Sequence, residues 1–518
     1  VRCKTSRVNL SGAKLAKSVW VAGVLRDAKL GGADLSGASL LQADLSGAEL
    51  GDADLTGTIL AAATLERAKL GGATLHETML GGAKLAGADL SGAKLSRSVF
   101  SRAELPGAAF RGATLTECVL LEANLSGADM TGAELDRVAL TRADMRGARM
   151  PKKMTKTVFD ATLLGSPELA GRDLAGSDID GADLAGVDLA GVNLSFSALR
   201  GVDLRGANLT GATLEGTTLT DCDLSGADLT GARVERATFM RGKLASVDLS
   251  RRAMTTVTFV ETDLTGASFA GAELRLSAFT RSDLRDVDFR EARLEQVLFE
   301  SCTLAEEDRT RPARMEEAQL HRVGFVKCEV RALAIKRATM CMFIDANLEG
   351  MDLSGAKLTQ SNFGRANLRR ANLTRANLDA ASLQDADLGL ADLSDASARH
   401  CFFGGAKLER TNLSRAKLRS SIFNGAKLGE ALLRDADLSR AKMKKVSAEG
   451  AVFFDADLTY ANLSHADVRR ADFTGARMTF TTIHAVRDSD TVWGGAIGPT
   501  TRTTDLERLE AEGWMPPR

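Results

Sequence analysis

Seven cysteines are the residues of this chain with the widest chemical range, and their spacing argues against metal and disulfide chemistry. They are Cys3, Cys118, Cys222, Cys302, Cys328, Cys341 and Cys401. No two of them form a Cys-x-x-Cys pair, so the sequence predicts neither a zinc cluster nor a disulfide framework. We expect all seven thiols to be free and buried. A reducing cytoplasm is the simplest location, with export by a route other than the general secretory pathway as the alternative.

The histidines and glycines also lack a catalytic pattern. Five histidines, at least nineteen residues apart, exclude the His-Glu-x-x-His motif of zinc proteases; they are His76, His321, His400, His465 and His484. The pair Gly242-Lys243 is followed by Leu244 and so is no phosphate-binding loop. We predict no enzymatic activity, no cofactor and no metal site.

The composition is that of a folded chain with balanced charge. Of 518 residues, 44% are hydrophobic and 5% are aromatic, and 67 basic residues nearly cancel 68 acidic ones. The hydrophobic content excludes intrinsic disorder. The charge balance lacks the basic excess of proteins that coat duplex DNA, and no apolar run approaches the roughly 18 residues of a membrane-spanning helix. We expect neither direct nucleic-acid binding nor a membrane span.

The dominant feature of the sequence is a repeat of five residues. Ala33–Gly37 is a typical unit, Ala-Asp-Leu-Ser-Gly, and we call its central apolar position i. This position recurs every fifth residue through four runs, Leu10–Met150, Met154–Leu304, Met315–Met340 and Phe343–Ile483. Neither an α-helix nor a flat strand brings every fifth residue to one face. A chain that turns one corner per unit does, with i and the small residue at i−2 pointing inward.

These Ala-(Asp/Asn)-Leu-x-x units resemble the pentapeptide repeat family. The resemblance implies an all-β fold, a right-handed, four-sided (quadrilateral) parallel β-solenoid. The phenylalanines at position i support an even number of sides, because within a run they are separated by multiples of ten; examples are Phe259, Phe279 and Phe299, and Phe343 and Phe363. These spacings fit about twenty residues per coil, with Phe on two opposing walls.

Interruptions of the repeat define the expected segments. We expect solenoid blocks at 1–150, 151–304 and 315–483, the last with a register shift at 341–342, and a charged inserted loop at 305–314. Residues 484–518 are expected to form a cap, with a short helix at 505–512 that begins at a capping box, Thr504-Asp505-Leu506-Glu507. An open sheet edge invites self-association, so an end-to-end dimer is the less favoured alternative. The amino end has no comparable cap, and we expect upstream sequence or a partner there.

Two surfaces are candidates for binding a protein partner. The first is an acidic ridge in the segment 160–228, which contains twelve acids and three arginines. With twenty residues per coil its aspartates stack on two adjacent walls, namely Asp183, Asp203 and Asp223, and Asp188 and Asp228. The ordinary explanation is that Asp is simply favoured at i−1. The second surface is the inserted loop, because loops on rigid scaffolds often carry function; its candidate residues are Glu306, Glu307, Arg309 and Arg311.

We therefore expect a non-enzymatic, rod-like scaffold for protein–protein interaction. Long pentapeptide arrays resemble parts of accessory proteins and effectors of bacterial secretion systems, including type VI, which makes a secretion-system component one expected partner. Pentapeptide repeat proteins that imitate DNA bind DNA gyrase, so the acidic ridge makes a type II topoisomerase the alternative partner.

Overall fold

The computed structural model describes residues 6–165, 168–305, 311–496, 498 and 500–513. The chain divides into two compact units, Val1–Asp248 and Leu249–Arg518. Each unit is a right-handed, four-sided parallel β-solenoid with about twenty residues per coil, as the repeat predicts. We describe the two units in turn.

The described residues of the first unit form ten short strands. They are β1 (Thr74–His76), β2 (Lys94–Ser96), β3 (Thr114–Thr116), β4 (Glu134–Asp136), β5 (Lys153–Thr155), β6 (Val158–Asp160), β7 (Asp178–Asp180), β8 (Ala198–Arg200), β9 (Thr218–Thr220) and β10 (Thr238–Met240). Strands β1 to β5 form one parallel sheet, and β6 to β10 pair in chain order in a second. Single bridges continue the same parallel pairing elsewhere on the walls.

Hydrogen bonds join each coil to the coils on either side. Leu35 N–H donates to the Asp54 carbonyl at 2.8 Å, and Asp54 N–H donates to the Ala33 carbonyl at 2.9 Å. In the named strands the same spacing aligns Leu75 with Leu95. Identical positions of successive coils therefore lie on top of one another, about 4.8 Å apart.

In the second unit, the part of the chain that the structure describes forms nine strands and one helix. They are β11 (Ala253–Thr255), β12 (Thr258–Val260), β13 (Glu273–Arg275), β14 (Ala278–Thr280), β15 (Arg293–Glu295), β16 (Leu298–Glu300), β17 (Gln319–His321), β18 (Gly324–Val326), β19 (Ala338–Thr339) and α1 (Leu506–Gly513). Within this unit the even-numbered strands form one parallel sheet and the odd-numbered strands form another.

Phenylalanine fills two opposing walls of the second unit. Phe259 and Phe279 stack with ring centroids 4.9 Å apart, and Phe269 and Phe289 stack at 5.1 Å. Across the interior, Phe259 meets Phe269 edge to face at 5.9 Å and 87°. The prediction from the phenylalanine spacing is confirmed. Rings from opposing walls are in contact, so the interior is filled by side chains at these levels.

The inward position i−2 can hold a small polar side chain because a carbonyl of the preceding coil accepts a hydrogen bond from it. Thr58 Oγ1 donates to the Leu35 carbonyl at 2.8 Å, and Ser197 Oγ donates to the Leu174 carbonyl at 2.9 Å. The thiol of Cys222 makes the equivalent contact at 3.5 Å. Serine, threonine and cysteine thus replace alanine at i−2 without leaving a buried donor unsatisfied.

Each corner is a tight turn closed by one hydrogen bond and one left-handed residue. Ala38 N–H donates to the Leu35 carbonyl at 2.9 Å, and Gly37 between them has φ of 65°. Glycine adopts this conformation without a Cβ penalty, which explains its recurrence at i+2. Arg97 occupies the same position with φ of 52°, so longer side chains are also placed at the corners, at some cost in strain.

Three register changes interrupt the twenty-residue spacing. Leu135 pairs with Met154, one residue short of a full coil. Phe299 pairs with Phe325, so this coil carries six extra residues, and Gly324 bridges Met342 with two residues fewer. In each case the inward position is recovered in the next coil. The walls therefore continue past each interruption.

The solenoid pairing extends beyond the predicted end of the repeat at Ile483. Asp488 occupies the position where an apolar residue is due, but Trp493 follows in register and stacks on Phe473 at 4.8 Å. Thr482 also bridges Arg502. The coil continues because a single polar residue at position i does not remove the backbone ladder.

Helix α1 begins one residue later than the capping box predicted. Asp505 is the N-cap, since its Oδ1 accepts a hydrogen bond from Arg508 N–H at 3.1 Å. Thr504 was the expected N-cap, and its hydroxyl instead accepts from Ala485 N–H at 3.2 Å. The threonine thus ties the segment before the helix to the solenoid.

Candidate interaction surfaces

The outward residue at i−1 is the main variable element of each wall. Its side chain lies over the same residue of the next coil, so every wall presents ladders with strand spacing. Residues on such a ladder act as a set, because like charges one strand apart repel and unlike charges attract.

The structure stacks the predicted acidic ridge on two walls. Asp183 bridges Asp203, which bridges Asp223. On the second wall Asp188 and Asp228 lie on either side of Asn208. The five aspartates are therefore brought together as the twenty-residue coil requires, although an amide separates the charges of the second ladder.

Each ridge aspartate also has a structural task at its own corner. Its Oδ1 accepts a hydrogen bond from the backbone N–H two residues later, the arrangement of an Asx turn. The five pairs are Asp183 with Ala185 at 3.2 Å, Asp188 with Ala190 at 3.1 Å, Asp203 with Arg205 at 3.1 Å, Asp223 with Ser225 at 3.0 Å and Asp228 with Thr230 at 2.8 Å. The frequent Asp and Asn at i−1 thus have a physical reason that is independent of any partner.

Neighbouring groups relieve part of the ridge charge. Arg205 Nε donates to Asp203 Oδ1 at 2.9 Å, and this bond lowers the pKa of the Asp203 carboxyl. Partial burial raises the pKa of Asp223, but the hydrogen bonds from Ser225 and the charge of Lys243 outweigh burial, so the net shift is downward. Lys243 Nζ lies 3.6 Å from Asp223 Oδ2. The ridge is acidic, but two of its three stacked carboxylates have cationic neighbours.

Only one of the four candidate residues of the inserted loop belongs to the described chain. Glu306, Glu307 and Arg309 lie outside the described residues. Arg311 Nε lies 2.5 Å from Asp286 Oδ2, and its carbonyl accepts from Asp286 N–H at 3.0 Å. This end of the loop is therefore anchored to the wall of the second unit.

The repeat itself identifies the family. The Pentapeptide repeats model matches residues 3–40, 24–61, 58–97, 80–116, 108–147, 169–206, 207–244, 259–296, 341–375, 386–425, 411–447, 423–455 and 451–486. The chain belongs to the pentapeptide repeat family. The same repeat governs most of both units.

Solved structures of other pentapeptide repeat proteins are similar over parts of the chain. HetL from the cyanobacterium Nostoc sp. strain PCC 7120 is 26% identical, covering 46% of this chain and 91% of its own, with a TM-score of 0.18. A pentapeptide repeat protein of the Arabidopsis thaliana thylakoid lumen is 29% identical over 22% of this chain and 68% of its own, with a TM-score of 0.12. QnrB1, a plasmid-mediated fluoroquinolone resistance protein, is 13% identical over 49% of this chain and 97% of its own, with a TM-score of 0.11. None of the curated proteins matches this chain.

The pentapeptide repeat also brings together a group that the sequence analysis missed. His465 and His484 are nineteen residues apart, close to one coil, so they lie in adjacent coils and their rings meet edge to face at 5.4 Å. Glu512 of α1 reaches both rings, with its Oε2 at 2.9 Å from His465 Nε2 and 3.2 Å from His484 Nε2. The near-coil spacing of the two histidines was a signal in the sequence, but the contribution of the helix was not.

Two imidazoles and a carboxylate are a set of side chains that can ligate zinc. The tautomer of His484 decides whether the group can bind a metal or serves as a hydrogen-bonded contact. Its ring is 2% exposed, and its Nδ1 accepts a hydrogen bond from Asp505 N–H at 3.1 Å. The neutral ring must then carry its proton on Nε2 and donate it to Glu512. A metal on Nε2 would require the opposite tautomer and would break the Asp505 bond. As arranged, the group anchors both ends of α1 to the last coils.

The described cysteines are buried, free thiols, as predicted from their position at i−2. They are Cys118, Cys222, Cys302, Cys328, Cys341 and Cys401, whereas Cys3 lies outside the described residues. Burial raises the pKa of Cys118 and of Cys222 to about 11. A thiol with so high a pKa is a poor nucleophile at neutral pH.

Proposed function

We propose that this pentapeptide repeat protein is a non-enzymatic scaffold that binds protein partners through its outward ladders. The supporting observation is the division of labour within each unit. Leucine, phenylalanine and alanine fill the inside, as at Leu204 and Ala207, while charged residues occupy the ladders outside. Such walls offer long, regular surfaces rather than a cleft that would enclose a small substrate.

Within that proposal, a component of a bacterial secretion system is the more specific partner that we favour. Its support is the length of the repeat array, whose matched segments begin at residue 3 and end at residue 486. The described part of the chain contains no helix that could span a bilayer.

Affinity capture from the source organism tests the scaffold. The bait is the full chain, compared with variants that reverse charges on one wall at a time. We expect at least one protein to be retained by the wild type and lost from one of these variants, with an unchanged circular dichroism spectrum. If every wall variant retains the same proteins as the wild type, the ladders are not the binding surface and the proposal fails.

A second candidate function is imitation of DNA toward a type II topoisomerase, favoured by the stacked carboxylates of Asp183, Asp203 and Asp223. Carboxylates in a ladder present negative charge at regular intervals, as a phosphate backbone does. The turn-capping role of the same aspartates and their pairing with Arg205 and Lys243 count against this function. We therefore rank it below the scaffold.

A supercoiling assay with purified gyrase separates the two candidates. A DNA mimic inhibits the enzyme, with inhibition that weakens as salt rises because the contacts are screened within about 10 Å at 0.1 M. The triple variant Asp183→Lys, Asp203→Lys, Asp223→Lys must then lose inhibition. The matched control places lysines on the opposite wall at Asn193 and Thr213 and must retain inhibition. If the wild type neither inhibits gyrase nor protects it from a quinolone, the DNA-mimic function is eliminated.

A further inference from the structure

One wall of the first unit holds all the exposed large apolar side chains between residues 6 and 150. They are Val19, Val21, Leu41, Ile59, Met79, Val119 and Leu121, and their exposed fractions range from 36% to 74%. Bridges connect Val19, Ser39, Ile59, Met79, Val99, Val119 and Ala139 in one continuous ladder. Single exposed apolar residues are ordinary, but a set confined to one of four walls marks an interaction site.

Charge is absent from seven successive rungs of this wall. Its i−1 residues are those of the bridged ladder, and its i+1 residues are Val21, Leu41, Ala61, Gly81, Ser101, Leu121 and Thr141. We call these fourteen positions the uncharged wall. In the same coils another wall carries Lys29, Glu49, Lys69 and Asp89 on its i−1 ladder. The repeat therefore does not impose an uncharged surface, and this wall differs through its own residues.

Two ladders of alternating charge border the later rungs of the uncharged wall. On one side Arg97 Nη1 lies 3.7 Å from Glu77 Oε1, and Arg97 Nε lies 3.0 Å from Glu117 Oε2. Arg137 Nε lies 3.2 Å from Glu117 Oε1. On the other side Glu122 lies 2.8 Å from Arg102 and 3.7 Å from Arg142. An apolar centre with a polar border is the usual anatomy of a protein interface.

We propose that the uncharged wall binds the same wall of a second copy of this chain, in a face-to-face antiparallel dimer. The alternating borders identify the occupant, because a series of signs −+−+ is complementary to its own reverse. A two-fold axis that runs along the strands, between the rungs of Val99 and Val119, places each border opposite itself in reverse order.

This axis pairs six of the seven bordering charges with an opposite one, and the seventh, Arg142, faces Gly82. Glu77 faces the Arg137 of the second copy and Arg97 faces its Glu117, while Arg102 faces its Glu122. A shift by one rung would instead oppose Glu117 to its own equivalent and Arg97 to Arg137. The borders thus fix the register, and the apolar rungs between them supply the attraction.

The size of the wall sets the strength of the dimer. Ten rungs, from Val19 to Ala198, lie within the overlap and extend about 48 Å at about 4.8 Å per rung, with a width of about 10 Å for three extended residues. The four rungs from Met79 to Ala139 face one another on the two copies. The three earlier rungs face rungs that carry Asp160, Asp178, Asp180 and Arg200. That footprint of roughly 480 Å² per copy is below the roughly 800 Å² per partner of a standard interface. The charged rungs in the overlap add a desolvation cost, so we expect weak, reversible self-association with a Kd on the order of 1 mM.

Sedimentation equilibrium of the full chain over a wide concentration range tests the dimer. Val119→Lys places a charge at the centre of the wall and should weaken association at least tenfold. Thr114→Lys lies in the same coil on the adjacent wall, within β3, and should have no effect. If the wild type stays monomeric up to about 1 mM, or if the two variants associate alike, the proposal is overturned.

A charge swap tests the register. Arg97→Glu opposes two carboxylates across the interface and should weaken association severalfold, and adding Glu117→Arg should restore it because the swapped pair still meets across the axis. If the double variant associates no more tightly than the single one, this arrangement is refuted.

Hydroxyl-radical labelling of Met79 tests whether something other than a second copy covers the wall. Strong protection of Met79 in the dilute monomer would mean that a segment of the same chain covers the wall, which also overturns the dimer.

Discussion

The uncharged wall and the acidic ridge lie in the same unit and have the same kinds of inward residue and corner. Their outward surfaces differ, because one is apolar and the other is acidic. Leu120 fills the core beneath the first, as Leu209 does beneath the second, and both are buried. Outside, Val119 on one surface corresponds to Asp223 on the other, each at i−1. The difference between the surfaces is confined to positions that the core does not constrain.

This comparison shows where the information for binding resides in a pentapeptide repeat. Position i and position i−2 must satisfy packing, and i+2 must accept a left-handed backbone. Position i−1 is free of these demands, so it can be apolar in one stretch and acidic in another without changing the fold. A surface can therefore be altered along the chain one rung at a time.

Core substitutions should have the largest effect, and it should be equal beneath the two surfaces. We expect Leu120→Asp and Leu209→Asp each to lower the free energy of unfolding by more than the roughly 2–5 kcal/mol of a core cavity. The excess arises because an unpaired carboxylate is also buried. Urea denaturation followed by circular dichroism measures both. Thr210→Ala, next to Leu209 but outward, is the control, and an effect equal to that of Leu209→Asp would invalidate the inward assignment.

Removal of a turn cap should be the next largest effect and should distinguish the surfaces. Asp183→Ala loses the hydrogen bond from Ala185 N–H and should cost about 1 kcal/mol. Asp183→Asn should cost little, because Asn208 already caps its own corner by accepting from Thr210 N–H at 3.1 Å. On the uncharged wall Met79→Ala removes no cap and should change stability by less than about 0.5 kcal/mol. Thermal melting measures the Tm of the three variants, and we expect the largest fall for Asp183→Ala. A fall as large for Asp183→Asn or Met79→Ala would contradict the capping role.

Acid should weaken the ridge but not the uncharged wall. The pKa values of Asp203 and Asp223 are lowered in the folded protein. Their contribution to stability is therefore present above the unfolded carboxyl pKa near 4 and is lost as the pH falls through the lower folded value. Urea midpoints measured at pH 7 and at steps below about pH 4 should fall less steeply for Asp203→Asn, Asp223→Asn than for the wild type. Identical slopes would show that these carboxylates are not stabilised by folding.

Thiol reactivity should show the smallest difference between the surfaces. Cys118 lies beneath the uncharged wall and Cys222 beneath the ridge, and burial raises the pKa of each to about 11. We expect both to resist alkylation at neutral pH in the folded protein and to react once it is denatured. Mass spectrometry after timed alkylation quantifies this. Fast labelling of one of them alone would reveal local opening of that wall.

Much of the fold was accessible from the sequence because one rule governs every coil. The five-residue period located the inward positions, and the phenylalanine spacing, together with the family resemblance, indicated four sides, as Phe259, Phe269 and Phe279 confirm. The end of the solenoid was harder to place. In the sequence Asp488 interrupts the apolar period, yet the backbone ladder continues past it to Arg502.

The candidate surfaces were only partly accessible. The stacking of Asp183, Asp203 and Asp223 follows from the coil length, but their hydrogen bonds to the turns depend on backbone geometry that the period does not contain. The uncharged wall could have been found by grouping residues twenty apart. The contact of Glu512 with His484 could not, because the position of α1 depends on the chain after the repeat ends.

The twenty-residue coil also has a consequence for how such a protein changes in evolution. Duplication of four consecutive units inserts a whole coil, so every downstream residue returns to its original wall and the uncharged wall or the ridge only lengthens. Duplication of a single unit rotates everything downstream by a quarter turn and moves an entire surface to a new side while every core contact type is kept. Slippage during replication of the tandem repeats can therefore reorient a binding surface in one event. No intermediate variant whose protein fails to fold is required.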